Sequence, residues 1–242
     1  MPDGFRALLI GNSRWHWAEQ RCDGWSFDHT PPDSLRLQQR PPHLWAAVGA
    51  VPPDATLQGL RQVQLRDVPL REAPPWLGVD RALAGWRAWQ QLRDVGRGVL
   101  VVDAGTVLSL TRVTPAGEFA GGQLAAGMAL QLRAMAAGAE ALPLPAEPLR
   151  TEEHSLAFES QSLFPRETAA AMRCGVRQAL LGLIVEAQRI SESPLWLCGG
   201  DAPELLPRLL ARGVPVHHAP NLVLEGLLQL RNEHDLRPIR PD

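Results

Sequence analysis

The residues best suited to chemistry in this chain lie within 98–127, GVLVVDAGTVLSLTRVTPAGEFAGGQLAAG. An apolar run, 99–102, ends on the carboxylate of Asp103, and Gly105-Thr106 turns the chain into a second apolar stretch, 107–113. Glycine turns let backbone N–H groups approach an anion closely. Asp103 can hold a cation, directly or through water, and Thr106 adds a neutral donor. The same strand–turn–strand pattern stands at 5–18 around Gly11-Asn12-Ser13, and a third turn, Gly199-Gly200-Asp201, follows the apolar run 195–198. Three such turns around one cleft make a nucleotide-binding plan. The repeat predicts duplicated halves facing that cleft. The alternative is a set of hairpins whose glycines serve only the turns.

A second chemical pair is Asp80 with Arg81, in Gly78-Val79-Asp80-Arg81, just ahead of a helical stretch at 82–92. A carboxylate there can cap free N–H groups or act as a base. The chain contains no lysine, so all 24 basic residues are arginine. That removes the Walker lysine, Schiff-base chemistry and a lysine general base. Bound phosphates would have to be met by backbone N–H groups, metal and arginine.

The 242 residues suffice for one large domain or two small ones. Hydrophobic residues at 45% and charged residues at 21% describe an ordinary soluble protein. A net charge of −2 supplies no basic face for nucleic acid. No uninterrupted apolar run reaches the ~18 residues of a membrane span, and the N-terminus lacks the features of a secretory signal. Cys22, Cys174 and Cys198 form neither a disulfide framework nor a zinc spacing. A reducing, cytoplasmic compartment is expected.

The elements that must position these groups follow from periodicity and breakers. Trp15 and Trp17 are expected to pack, and His16 to point outward. Pro31-Pro32 and Pro41-Pro42 predict an irregular connection over 28–44. Strands are predicted at 44–51 and 63–65, with a short helix at 57–62. The polar break 94–98 divides a first domain, 1–95, from a second, 96–242. There, Gly121-Gly122 is expected to lead into a helix over 124–135. Residues 139–166 read as loop with one short helix, and Glu167-Thr168 opens a long helix over 170–189. A strand at 195–198, a helix at 203–212 with proline in its first turn, a strand at 214–217 and a helix at 222–230 complete the chain. The last helix is expected to pack back on the first domain.

Several stretches then form an ordered set over nearly the whole chain: Ile10-Gly11-Asn12-Ser13, Gly78-Val79-Asp80-Arg81, Asp103-Ala104-Gly105-Thr106, Gly121-Gly122-Gln123-Leu124-Ala125-Ala126-Gly127, Glu167-Thr168-Ala169-Ala170-Ala171-Met172, Gly199-Gly200-Asp201 and Asn221-Leu222-Val223-Leu224-Glu225-Gly226-Leu227. In these the chain resembles the type III pantothenate kinases of the acetate and sugar kinase, heat-shock 70 and actin superfamily. The resemblance implies an α/β fold of two ribonuclease-H-like (actin-like ATPase) domains with a nucleotide cleft between them. It also implies ATP-dependent phosphorylation of pantothenate to 4'-phosphopantothenate, the first step of coenzyme A biosynthesis. The implied enzyme is a homodimer with its substrate site at the interface and no nucleic-acid or membrane partner.

By the same resemblance Asp80 is the general base, and Gly78, Val79, Asp80 and Arg81 hold pantothenate together with Thr168 of the other protomer. ATP, carried with Mg2+, is expected at Leu9, Ile10, Gly11, Asn12, Ser13, Arg14, Trp15 and His16, and at Thr106, Gly199 and Gly200. Asp103 is the expected ligand of a monovalent cation, K+ or NH4+. Three positions depart from the family pattern. Leu9 stands where the family carries an aspartate that assists the divalent metal, and Ala126 stands where it carries proline. Its substrate-pocket aromatic has no tyrosine here, although Trp76 is nearby. Two other readings stay open: a non-catalytic nucleotide-binding regulator on the same scaffold, or another small-molecule kinase of the superfamily.

Overall fold

Two five-stranded sheets with one strand order organise the computed structural model, which describes residues 4–53, 55–143 and 162–234. β1 (Arg6–Ile10), β2 (Trp15–Arg21), β3 (Gly24–Thr30), β4 (Leu44–Ala47) and β5 (Arg61–Gln62) line up as β3-β2-β1-β4-β5. β6 (Val99–Ala104), β7 (Val107–Val113), β8 (Phe119–Ala126), β9 (Leu195–Cys198) and β10 (Val216–His218) line up as β10-β9-β6-β7-β8. Read from the opposite edge, this is the same order, as the repeated strand–turn–strand pattern predicts. Compactness divides the chain into one unit of 1–99, 111–121 and 221–242 and another of 100–110 and 122–220.

In the first unit β1 runs antiparallel to β2, with Leu9 opposite His16, and parallel to β4. Leu8, Ile10, Trp15, Trp17, Leu37 and Trp45 form its core, so both tryptophans pack. The stretch 28–44 is not irregular throughout: it holds the end of β3 and helix α1 (Ser34–Gln39). Asp33 caps α1 by accepting from the Arg36 N–H at 2.9 Å. The buried Glu19 carboxylate draws in Arg36 at 3.2 Å and Arg40 at 3.1 Å, which ties α1 to β2. The helix expected at 57–62 is instead a 3-10 turn at Ala55–Leu57 followed by β5 at Arg61–Gln62, and no strand forms at 63–65, where Leu65 already opens the 3-10 turn Leu65–Asp67. Helix α2 (Val79–Gln90) buries Val79, Ala82, Leu83 and Trp86.

In the second unit Leu100, Val102, Leu108 and Leu110 pack with helices α3 (Met128–Gly138), α4 (Thr168–Ser191) and α5 (Ala202–Ala211). Helix α4 is long and apolar enough in composition to cross a membrane. Its Met172, Val176, Leu180 and Ile184 are instead part of this core. The segment 124–135 is not one helix. β8 continues through Gly121-Gly122 to Ala126, and α3 begins only at Met128. Edge pairing to β7 satisfies that backbone without burying Leu124, which stays 62% exposed. Residues 144–161 of the expected 139–166 loop lie outside the described residues. The last helix, α6 (Leu222–His234), belongs to the first unit and packs against α2.

Both glycine turns at the ends of β1 and β6 are held by the same device. The Gly11 N–H donates to the Arg14 carbonyl at 3.0 Å, and Gly49 lies against the Gly11 carbonyl so closely that a Cβ there would overlap it. In the second unit the Gly127 N–H donates to the Thr106 carbonyl at 3.0 Å, and Gly127 leaves no room for a Cβ against the Gly105 carbonyl. Backbone cannot swing aside as a flexible side chain can. Gly127→Ala is therefore expected to destabilise the protein by about 2 kcal/mol and lower Tm by roughly 5 °C. Gly138→Ala, which has open space around it, is expected to leave Tm unchanged or slightly raised. Thermal denaturation of both variants checks this.

Candidate active site

Helix α2 starts behind Gly78, whose extended backbone is the N-cap and offers no side-chain hydrogen bond. Asp80 lies in the first turn, and its Oδ1 accepts the Arg81 N–H at 2.7 Å. It thus takes part in closing the helix end without occupying the cap position. Burial raises the Asp80 carboxyl above its ordinary value of 3.8, against the opposing pull of the Arg81 N–H and charge. Burial also lowers the Arg81 guanidinium. Arg81 Nε donates to Thr111 Oγ1 at 3.2 Å, and Thr111 is buried on β7. The result is a carboxylate inclined to accept a proton beside a fixed cation. Trp76, 70% exposed, meets Phe119 edge to face at 6.0 Å just ahead of this pair. Reciprocal bonds hold the segment in place: the Arg71 N–H to Gly117 O at 3.1 Å and the Phe119 N–H to Arg71 O at 2.8 Å.

At the turn after β1, Asn12, Ser13 and Arg14 are exposed, whereas Ile10 and Trp15 turn their side chains into the core. Those two could meet a nucleotide only through backbone. Leu9 is buried in β1 and offers a metal no ligand. His16 is half-buried rather than simply outward. Its Nδ1 lies 2.8 Å from His29 Nδ1, and His29 Nε2 lies 3.2 Å from Asn221 Oδ1. Burial, then His29 and Arg14, lowers His16 to about 4.

In the second unit Asp103 stands one residue before the end of β6, close to the third glycine turn. Gly199 has φ +91°, and a Cβ there would overlap the Asp103 carboxylate and the Ala104 backbone. The Asp201 N–H donates to the Ala104 carbonyl at 2.7 Å. Asp103, Thr106, Gly199 and Gly200 thus come from two neighbouring strand ends, a carboxylate among backbone groups that suits a small cation. Among the described residues no group of three or more His, Cys, Asp or Glu side chains is placed to hold a metal. Thr168 is exposed at the first position of α4, where Glu167 is the N-cap and makes no side-chain cap bond. Sequence reasoning missed Thr111, His29 and Asn221. Each acts through a partner 30 or more residues away, apart from the 13-residue His pair, and only Asn221 lies in a motif.

A duplicated sheet with one strand order and glycine turns at its strand ends defines an actin-like ATPase fold. MreB 5 of Spiroplasma citri, solved with AMPPNP, shares this fold, with TM-score 0.50 and 11% identity over 98% of each chain. The family model for type III pantothenate kinase matches residues 59–189. A type III pantothenate kinase of Synechococcus elongatus is 34% identical, over 92% of this chain and 94% of its own length. One of Thermosynechococcus vestitus is 38% identical, over 93% of this chain and 89% of its own. The chain belongs to the type III pantothenate kinase family.

His16 supplies a test of the turn. Its folded value of about 4 lies below the 6.5 of the free side chain, so between these the unfolded chain binds more protons. The stability linked to neutral His16 is complete above 6.5 and is lost as pH falls toward 4. His16→Gln is expected to flatten this acid limb by about 2 kcal/mol, measured by urea unfolding from pH 7 to pH 4.

Proposed function

We propose that this chain transfers the terminal phosphoryl group of ATP to the primary hydroxyl of pantothenate, giving 4'-phosphopantothenate and ADP at the first step of coenzyme A biosynthesis. The observation that carries this reading is the Asp80–Arg81 pair, with a carboxyl raised by burial and a guanidinium fixed by Thr111. Arg81 and the Gly78-Val79 backbone hold pantothenate through its carboxylate and polar tail. Asp80 accepts the hydroxyl proton as the oxygen attacks the phosphorus, and ADP leaves with the electron pair of the broken P–O bond. Phosphoryl transfer depends on positioning and charge neutralisation more than on covalent catalysis.

In the first unit the Gly11–Ser13 turn, whose Gly11 N–H is held by the Arg14 carbonyl, meets phosphate oxygens through the Asn12 and Ser13 N–H groups, flanked by Leu9, Arg14 and His16. In the second, Thr106 does the same, and Gly199-Gly200 lies by the adenosine. Leu9 leaves β1 without an acid to reach Mg2+, which would therefore be held by the ATP phosphates without help from this strand. Asp103 would hold a monovalent cation, which would supply positive charge that no lysine provides. Residues 1–95 and 96–242 are the two duplicated halves, each containing one complete sheet. The three free cysteines suit the reducing cytoplasm. Leu9 also favours a second reading, a nucleotide-binding regulator without turnover.

One experiment separates the two. ATP consumption is expected to require pantothenate and K+ or NH4+, and to fail in Na+ alone. Asp80→Asn is expected to lower kcat by about a hundredfold or more while ATP still binds. The acid limb of the wild-type pH–rate profile is expected above the ordinary carboxylate value of 3.8, because Asp80 must be ionised to act. Between those values the native chain binds more protons than the unfolded one, so ionising Asp80 costs stability as pH rises. Asp80→Asn is therefore at least as stable as wild type at pH 7. Pantothenate-independent ATP binding without turnover would leave the regulator.

The working unit in this reading is a homodimer. Ala171, Gly175, Ala179 and Gly182 form an exposed ridge of small residues on α4, which lets a second copy approach closely. Thr168 at the head of that ridge then serves the partner's substrate, where a helix N-terminus favours negative charge. Mixing inactive Asp80→Asn and Thr168→Arg chains is expected to restore about a quarter of wild-type activity, since half of the dimers are mixed and each has one intact site. No recovery despite demonstrated subunit exchange, or an active monomer in sedimentation, overturns the composite site.

A further inference from the structure

His16, His29 and Asn221 form a chain across one face of the first sheet. Side chains alternate along a strand. Trp15 and Trp17 of β2 enter the core, so His16 between them stands on the opposite face. Its neighbours in register are Leu9 on β1 and His29 on β3. His16 Nδ1 lies 2.8 Å from His29 Nδ1. His29 Nε2 lies 3.2 Å from Oδ1 of Asn221, the residue that leads into α6.

This chain fixes the protons. An amide oxygen only accepts, so His29 carries its proton on Nε2. The neutral His29 ring then has a bare Nδ1, and the short contact requires His16 to donate from its own Nδ1. His16 Nε2 is left with a lone pair. That edge of the ring faces the turn after β1: a Cβ placed on Gly11 would stand 3.2 Å from Nε2 and 3.5 Å from Cδ2. Among the described residues the hydrogen bond of His16 is made by Nδ1, and no donor meets Nε2.

A lone pair at that place repels phosphate oxygens unless a cation lies between them. Neutral imidazole is the commonest metal ligand. A ligating histidine nearly always donates its other ring N–H to a fixed partner, which sets the tautomer and the ring orientation. His16 meets both conditions, and Leu9 beside it supplies no oxygen. We infer that His16 Nε2 is the first sheet's ligand to the divalent metal that accompanies the nucleotide, with His29 and Asn221 as positioning residues that hold it in the ligating tautomer. The phosphates and water supply the other ligands, so one side chain suffices. This rests on the reading that the Gly11–Ser13 turn meets the nucleotide's phosphates. A nitrogen ligand favours Mn2+ over Mg2+, which is satisfied best by oxygen.

Nitrogen NMR of isotope-labelled histidine reads the tautomer near neutral pH, with His16→Gln giving the assignment. His16 is expected in the Nδ1–H form, both alone and with Mg2+ and AMPPCP. A proton on Nε2 instead overturns the inference. So does a ring charged on both nitrogens once AMPPCP is added, which would mean direct contact with phosphate as a cation.

Pulsed EPR of Mn2+ with AMPPCP, whose bridging carbon places no nitrogen near the metal, is expected to show coupling to an imidazole nitrogen that His16→Gln removes. The Kd of Mn2+ in the presence of AMPPCP is expected to rise at least about tenfold in His16→Gln and in His29→Ala, and that of Mg2+ by less. The wild-type spectra need no variant, and His29→Ala alters an exposed side chain. Nitrogen coupling without pantothenate-dependent turnover supports this inference and removes the proposed reaction. Binding of AMPPCP with Mn2+ but no nitrogen coupling, or coupling unchanged in His16→Gln, overturns the inference and leaves the reaction untouched. Failure to bind AMPPCP overturns both.

Discussion

The turns that end β1 and β6 depend on the approach of backbone to backbone at two glycine pairs. Gly49 lies on the Gly11 carbonyl, and Gly127 lies on the Gly105 carbonyl. Each contact pins the turn that ends the first strand of its sheet. A turn held this way is ordered in advance, which is how preorganisation lowers the cost of ordering a loop. The duplicated strand order places the device at the equivalent position in both sheets. It also explains why β8 must run on to Ala126: Gly127 has to arrive at Thr106 from an extended strand, since a helix begun at 124 would carry its backbone away.

Asp80 and His16 are perturbed in opposite senses by one cause. Burial raises the carboxyl and lowers the imidazole, because in each case it penalises the charged form. For Asp80 the consequence is a stronger base at a cost in stability, the usual exchange at a site shaped for function. For His16 it is a neutral ring that can share one proton with His29, which in turn reaches Asn221. The absence of lysine runs through the whole design. With arginine as the sole strong cation, positive charge comes in planar, hydrogen-bonded form, at Arg81 with Thr111 and in the cluster between α4 and α5.

Much of the scaffold is legible without coordinates. Residues 99–113 read correctly because an apolar run, a small-residue turn and a second apolar run leave few alternatives. The Asp-x-Gly-Thr, Gly-x-Asp-Arg and Gly-Gly-Asp stretches stand out because their residue types are costly unless used. The misread segments share a cause. At 28–44 the prolines hid the Asp33 cap, which the pattern Pro-Pro-Asp-Ser could have disclosed. At 124–135 an edge strand and a helix follow one another in similar apolar residues, and periodicity cannot locate the join.

The sequence by itself determined the strand–turn–strand units at 5–18 and 99–113, the two equivalent turns, and the acid and cation that begin α2. These follow from local preferences that act over a few residues. Tertiary structure decided which distant groups complete them: Thr111 under Arg81, Asn221 behind His29, Gly49 and Gly127 over the turns, and Glu204 among the arginines of α4 and α5. It also decided the proton affinities of Asp80 and His16. Burial and partnership depend on what the folded chain brings alongside, which no local pattern encodes.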